Sequence, residues 1–231
     1  VSGPPVPAAG TARRGRFVTF EGGEGAGKST QIARLAERLE AEGIRVVRTR
    51  EPGGTPGAEA VRRILLSGGA RRFGPGSEAL LFAAARADHV ATLIAPALGR
   101  GTWVLCDRFT DSTRVYQGTA GVGRELLAAL EKVALGELAP DLTLVLDVPP
   151  KVGLARVAAR SAEAPDRFEG DPLEEHEARR RAFLAIARAE PARCVVVDAA
   201  GEAEAVAAAV WQAVRERLGL TVGESADAPG R

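Results

Sequence analysis

Asparagine is missing from the 231-residue chain, and with it the Asn-Lys-x-Asp guanine reader that a GTP-driven switch requires. Lysine is scarce: only Lys28, Lys132 and Lys151 occur, and the other 28 basic residues are arginines. A lysine inside a motif therefore stands out. Excess charge of either sign is absent too, because 31 Lys and Arg against 30 Asp and Glu leave a net charge of +1. That excludes the chain-wide field on which a non-specific nucleic-acid binder depends, so any anion site must be local. Only two cysteines are present, Cys106 and Cys194. Each sits in an apolar run that reads as a buried strand, which implies inert reduced thiols rather than a bridge and points to the cytoplasm. The opening stretch Val1–Ala12 lacks the charged-then-apolar pattern of a signal peptide. The most apolar helical stretch, Glu78 to Leu98, is interrupted by Arg86, Asp88 and His89. Neither secretion nor a place in a membrane is expected.

What is present is the balance of an ordinary globular domain, 45% apolar and 26% charged. Residues 1–14, with Pro4, Pro5, Pro7 and Gly10, read as a flexible leader, and residues 221–231 as a flexible tail. Between them, across 15–220, short β-branched runs alternate with helical patterns. Strands are predicted at Phe17–Glu21, Ile44–Thr49, Trp103–Asp107, Thr143–Asp147 and Cys194–Asp198. Helices are predicted around 28–42, 57–67, 77–98, 124–136, 151–160, 173–189 and 202–218. This alternation implies an α/β fold, a five-stranded parallel sheet covered by helices on both faces.

Directly after the first strand runs Gly22-Gly23-Glu24-Gly25-Ala26-Gly27-Lys28-Ser29-Thr30, which fits G-x-x-x-x-G-K-[ST] and opens a helix. Phosphates need converging backbone N–H groups at a helix N-terminus. Four glycines let the backbone turn inward, Lys28 adds a point charge and Ser29 a hydroxyl for Mg²⁺. A chain of this composition matches the pattern by accident roughly once in 300. A second element fits the first: the apolar strand Trp103–Asp107 ends in a carboxylate suited to the Mg²⁺ shell or to catalysis.

Ligands of open parallel sheets sit at the C-terminal strand ends, which brings Arg50-Glu51-Pro52-Gly53-Gly54 and Arg108-Phe109 to the site. Two arginines beside a nucleotide-phosphate loop imply a second anion, since the guanidinium fork matches phosphate oxygens. Phe82 and Arg86, four apart on one helix, share a face and would pair a flat apolar plate with a cation.

With these residues in place, the sequence resembles the thymidylate kinase family from Phe17 to about Leu218. The resemblance is carried by the phosphate loop from Glu21 to Thr30, by Thr49-Arg50-Glu51-Pro52-Gly53-Gly54, by Leu81-Phe82-Ala83-Ala84-Ala85-Arg86, by Asp107-Arg108-Phe109 and by Asp166-Arg167-Phe168-Glu169. It implies a P-loop NTPase-type three-layer fold with a lid segment, about 156–172. It also implies transfer of the γ-phosphoryl group of ATP to dTMP with Mg²⁺, in dTTP synthesis, by a homodimer. By matching position, Phe82 would stack on thymine, Arg50 and Arg108 would hold the dTMP phosphate and Arg86 would meet the base edge. Glu24 would reach the sugar 3′-hydroxyl, Thr113 and Tyr116 would meet the base and the deoxyribose face, and Gln117 would join the same set. Some members carry a catalytic arginine in the phosphate loop where this chain has Gly25. The resemblance is then to bacterial-type enzymes with lid arginines, here Arg156, Arg160 and Arg167, with Arg160 and Arg167 joining Lys28 and Asp107 in the catalytic set.

The alternatives are another nucleoside or nucleoside-monophosphate kinase with the same loop, or a non-enzymatic interaction protein on the same fold. The helix 77–98 is apolar around most of its circumference and is therefore either buried or part of an interface, which a homodimer would satisfy.

Overall fold

A computed structural model describes residues 14–160 and 168–220, apart from the side chains of Arg71 and Arg160. The expected leader apart from its last residue, Arg14, the tail and the middle of the expected lid lie outside those residues. Five parallel strands are found: β1 Phe17–Glu21, β2 Val46–Arg50, β3 Trp103–Asp107, β4 Leu142–Asp147 and β5 Cys194–Asp198, in the order β2-β3-β1-β4-β5. The helices are α1 Lys28–Ala41, α2 Pro56–Leu66, α3 Gly74–His89, α4 Ala95–Gly99, α5 Thr110–Thr119, α6 Arg124–Leu135, α7 Pro150–Arg160, α8 Leu173–Ala189 and α9 Ala203–Leu218.

Alternation along each strand divides the core into two layers, because successive side chains point to opposite faces. Val18, Phe20, Leu105, Leu142, Leu144 and Leu146 face α1 and α9, packing on Leu35, Leu39, Val210 and Val214. On the other face Phe17, Val104 and Cys106 pack on Ile94, Leu98 and Phe109, while Val145 meets Val115, Phe183 and Cys194. Helices thus cover both faces, as a parallel sheet demands. Both cysteines are free and buried, and burial pushes their thiols up, Cys194 to about 11.

Three expectations change in detail. Ile44 lies outside β2, because its N–H closes the end of α1 on Leu39 O (2.9 Å) over the left-handed Gly43; Arg50 instead ends the strand, opposite Asp107. The long helix 77–98 starts at Gly74 and loosens into a π turn, Val90–Ile94, before Pro96, which has no N–H to give. By length and composition Gly74–Gly99 could cross a membrane. It is packed on α2 and α6, however, and buries Glu78, Arg86 and His89 inside the protein. Finally, α5 is a helix the periodicity did not predict. Its Thr-Asp-Ser-Thr-Arg-Val-Tyr-Gln-Gly-Thr run is rich in β-branched and small polar residues that favour other conformations. Packing on α8, α3 and α6 supplies what propensity does not.

Candidate active site

The phosphate loop joins β1 to α1 on glycine geometry. Gly22, Gly25 and Gly27 have φ of 138°, 67° and 85°, which side chains rarely adopt. The loop is also crowded. A Cβ on Gly25 would stand 2.0 Å from the carbonyl oxygen of Gly153 in α7, and a Cβ on Gly153 would stand 2.2 Å from that of Glu24. Two glycines let the loop and α7 touch backbone to backbone, which leaves no space for an arginine at position 25. Lys28 is buried, with Nζ donating to the carbonyls of Gly22 (3.2 Å) and Gly23 (3.0 Å). Burial and then the Arg108 charge lower its pKa. The Ser29 hydroxyl donates to Asp107 Oδ2 at 2.7 Å, joining the start of α1 to the end of β3.

Beside the loop lies a cleft of about 240 Å³ walled by the ends of β2 and β3 and by α2, α3 and α5. All eight residues expected at the acceptor, Glu24, Arg50, Phe82, Arg86, Arg108, Thr113, Tyr116 and Gln117, line this one cavity, with Ser29 and Asp107 at its edge. Phe82 is half-buried on the wall rather than part of the core. Arg50 is exposed, and Glu59 of α2 anchors it at 2.8 Å.

Deeper in, Arg86 is buried and its Nε donates to Glu51 Oε2 at 2.7 Å, while Nη2 donates to Phe109 O and Thr113 Oγ1. The other oxygen of Glu51 meets His89 Nδ1 at 3.1 Å, and His89 Nε2 meets Thr49 Oγ1 at 2.7 Å. Such a pair fixes the arginine because removing its carboxylate would strand a buried charge.

At the mouth, Arg108 Nη2 donates to Glu24 Oε1 (2.7 Å), and the Tyr116 hydroxyl donates to the same oxygen (2.6 Å). Burial works against the charge on Glu24, but the Arg108 and Lys28 charges outweigh it and hold the carboxyl down at about 2. Burial pushes the Tyr116 hydroxyl up. Arg179 of α8 lies over the rings of Tyr116 and Phe168, at 4.7 and 5.6 Å from the centroids, and pairs with Asp171.

Of the arginines expected in the lid, Arg156 Nη1 and Nη2 donate to the carbonyls of Ala199, Ala200 and Gly201, which ties α7 to the loop after β5. These contacts give Arg156 a structural attachment. Arg160 is the last residue of α7, and Arg167 falls outside the described residues. Sequence reasoning gave no role to Glu21, Glu51 or His89, although it brought Glu51 to the site within the run after Arg50. Glu51 directly follows Arg50 at a strand end, which was the available signal; nothing local marks His89.

The thymidylate kinase family model matches residues 20–210. The chain belongs to the thymidylate kinase family. Thymidylate kinase of Bradyrhizobium sp. strain ORS 278 is 61% identical over 207 residues, covering 89% of this chain and 92% of that protein. Thymidylate kinase of Rhodopseudomonas palustris strain CGA009 is 60% identical over 208 residues (89% and 90%), and that of Nitrobacter winogradskyi 58% over the same length and shares. The matched span takes in the phosphate loop, the cleft and all five strands except the first residues of β1.

Proposed function

We propose that this protein transfers the γ-phosphoryl group of ATP to dTMP, giving dTDP and ADP, in the supply of dTTP. The observation that carries this reading is the meeting of a phosphate loop with one cleft lined by every acceptor residue expected of the family. ATP lies with its phosphates on the loop amides and Lys28. In the cleft, Phe82 stacks on the base, Arg86 and Thr113 meet its edge with Gln117 beside them, and Tyr116 faces the deoxyribose. Glu24 accepts from the 3′-hydroxyl, and Arg50 and Arg108 clamp the phosphate.

A dTMP phosphate oxygen attacks the γ-phosphorus in line with the leaving ADP oxygen. Charge spreads over the transferring group, and the chain's work is to position and neutralise it. Lys28 and Arg108 flank that point. Since position 25 admits no side chain, the further cation comes from Arg160 or Arg167. The residues fit Mg²⁺: a hydroxyl and a carboxylate, hard oxygen donors on two different elements, meet at Ser29 and Asp107. These two would hold the ion, which supplies charge neutralisation to the ATP phosphates.

A homodimer and a cytoplasmic location complete the reading. Ile64, Phe73, Leu80, Leu126 and Val133 are exposed on α2, the turn Arg71–Phe73, α3 and α6, elements that pack side by side, and this supports a second copy covering them. The two buried thiols suit a reducing compartment. The test is a panel of acceptors with ATP: dTMP, dUMP, thymidine, AMP and GMP. Conversion of dTMP to dTDP in preference to the others is expected. Preference for a different acceptor would replace this reading with another nucleoside or nucleotide kinase.

A further inference from the structure

Arg108 is the only non-glycine among the described residues with positive φ, 66°. That left-handed turn directly after β3 sends its guanidinium back across the sheet end, where Nη1 donates to Gly22 O and to Ser112 Oγ, both at 3.2 Å. A side chain rarely holds this conformation unless its surroundings over-determine it. The surroundings here are supplied by Glu21, the last residue of β1 and wholly buried. Its Oε1 accepts the backbone N–H of Phe109 (2.8 Å) and of Ser112 (3.2 Å), and its Oε2 accepts the Ser112 hydroxyl at 2.6 Å.

Those two amides open α5 and have no acceptor within the helix, while the residue in the capping position, Phe109, has no side chain able to cap. A carboxylate from the neighbouring strand does the capping instead, at the end of the helix that attracts negative charge. Ser112 owns a single proton. By giving it to Glu21 it turns an oxygen lone pair toward Arg108 Nη1, so the three side chains form a directed chain, Arg108 to Ser112 to Glu21.

We propose that Glu21 is a positioning residue for the acceptor: acting through Ser112 and the first turn of α5, it holds Arg108 where the dTMP phosphate is clamped. The inference rests on the reading of the cleft as the dTMP site. It goes beyond that reading because Glu21 is not among the residues lining the cleft.

The informative substitution is Glu21→Gln. The amide keeps the shape and an acceptor for the two backbone N–H groups, but presents a donor where Oε2 accepted, which leaves the Ser112 proton without a partner. Burial, and then the charge of Asp111, push the Glu21 carboxyl up to about 7, against the opposing pull of Ser112, Arg108 and Phe109 N–H, so the neutral form costs the fold little, and the variant is compared with wild type at pH 8, where wild-type Glu21 is the carboxylate. A neutral isostere should therefore fold. The expected result is a KM for dTMP raised about tenfold, as for loss of a charge-assisted hydrogen bond, with KM for ATP within about twofold and no lowered Tm. A KM for dTMP within about twofold of wild type in folded Glu21→Gln protein would overturn the proposal. Should that variant fail to fold, Glu21→Asp decides, because it keeps the charge, draws the carboxylate back by one methylene and, unlike a change at Ser112, touches no residue of the cleft lining: a raised KM for dTMP alone supports the chain of contacts, and unchanged values overturn it. Wild-type enzyme in the same assay separates the two layers, since failure to phosphorylate dTMP at all overturns the functional reading instead.

Discussion

The phosphate loop and the acceptor cleft are neighbours built on opposite plans. The loop is one contiguous run whose function lies in its backbone: three glycines at positive φ, a helix start and one lysine. The cleft is assembled from side chains of β2, β3, α2, α3, α5 and the segments beside them, contributed by residues from Glu24 to Phe168, and its arginines are held by carboxylates next to them. A backbone cradle can be specified by a short pattern. A side-chain cleft needs the fold to bring it together, and then needs a second tier of ion pairs to keep buried cations in place.

The contrast predicts that the two halves break differently. The largest effect should come from the second tier. Glu51→Ala removes the partner of a buried guanidinium, and breaking such a pair costs about 3–5 kcal/mol. Urea unfolding should show that loss, and a stability within about 1 kcal/mol of wild type would mean Arg86 finds another partner. Lys28→Ala acts on the other half: kcat should fall by roughly 10²–10³, the scale for losing one group aimed at developing charge, with thermal stability kept. Arg50→Ala should be smaller still. Its guanidinium is exposed and anchored by Glu59 alone among the described residues, so stability should hold while dTMP binding weakens by about 1.5–3 kcal/mol. Calorimetric titration of dTMP would read that directly.

The contrast also predicts a pH dependence, and it has opposite signs at two glutamates three residues apart. Glu24, held at about 2 against an ordinary 4.5, contributes stability that is fully present above about pH 4.5 and is lost as pH falls through 2. Glu21, raised to about 7, binds its proton more tightly in the folded state, so its contribution to stability declines as pH rises from about 4.5 through 7. Melting curves from pH 5 to 8 should therefore fall less steeply for Glu21→Gln than for wild type. Parallel curves would remove Glu21 as the titrating group.

The strands were legible because each is a short apolar run with the core divided by simple alternation, and the loop was legible because its pattern is local. Arg50, Phe82, Arg86 and Arg108 could be placed near the site from strand ends and helix spacing, but their roles came from resemblance to a family. The helix α5 was not legible. Its residues are poor helix formers, and the group that starts it, Glu21, lies 88 residues from the amide of Phe109 that it accepts. The roles of Glu51 and His89 were missed for a related reason: a buried partner is recognised by what it faces, and His89, at the end of α3, meets Thr49 and Glu51 only in the folded chain. Gly153 carries no motif, and its meaning appears only where the Glu24 carbonyl comes within 2.2 Å of its missing Cβ.

The division of labour between cradle and cleft is tested most directly by calorimetric titration of Lys28→Ala and Phe82→Ala, each with dTMP and with a non-hydrolysable ATP analogue. A crossed pattern is predicted. Lys28→Ala should lose affinity for the ATP analogue and keep that for dTMP. Phe82→Ala should lose about 1–3 kcal/mol of dTMP binding, the worth of one stacked base, and keep the ATP analogue. Loss of the ATP analogue by Phe82→Ala with dTMP binding intact would contradict the assignment of the two sites.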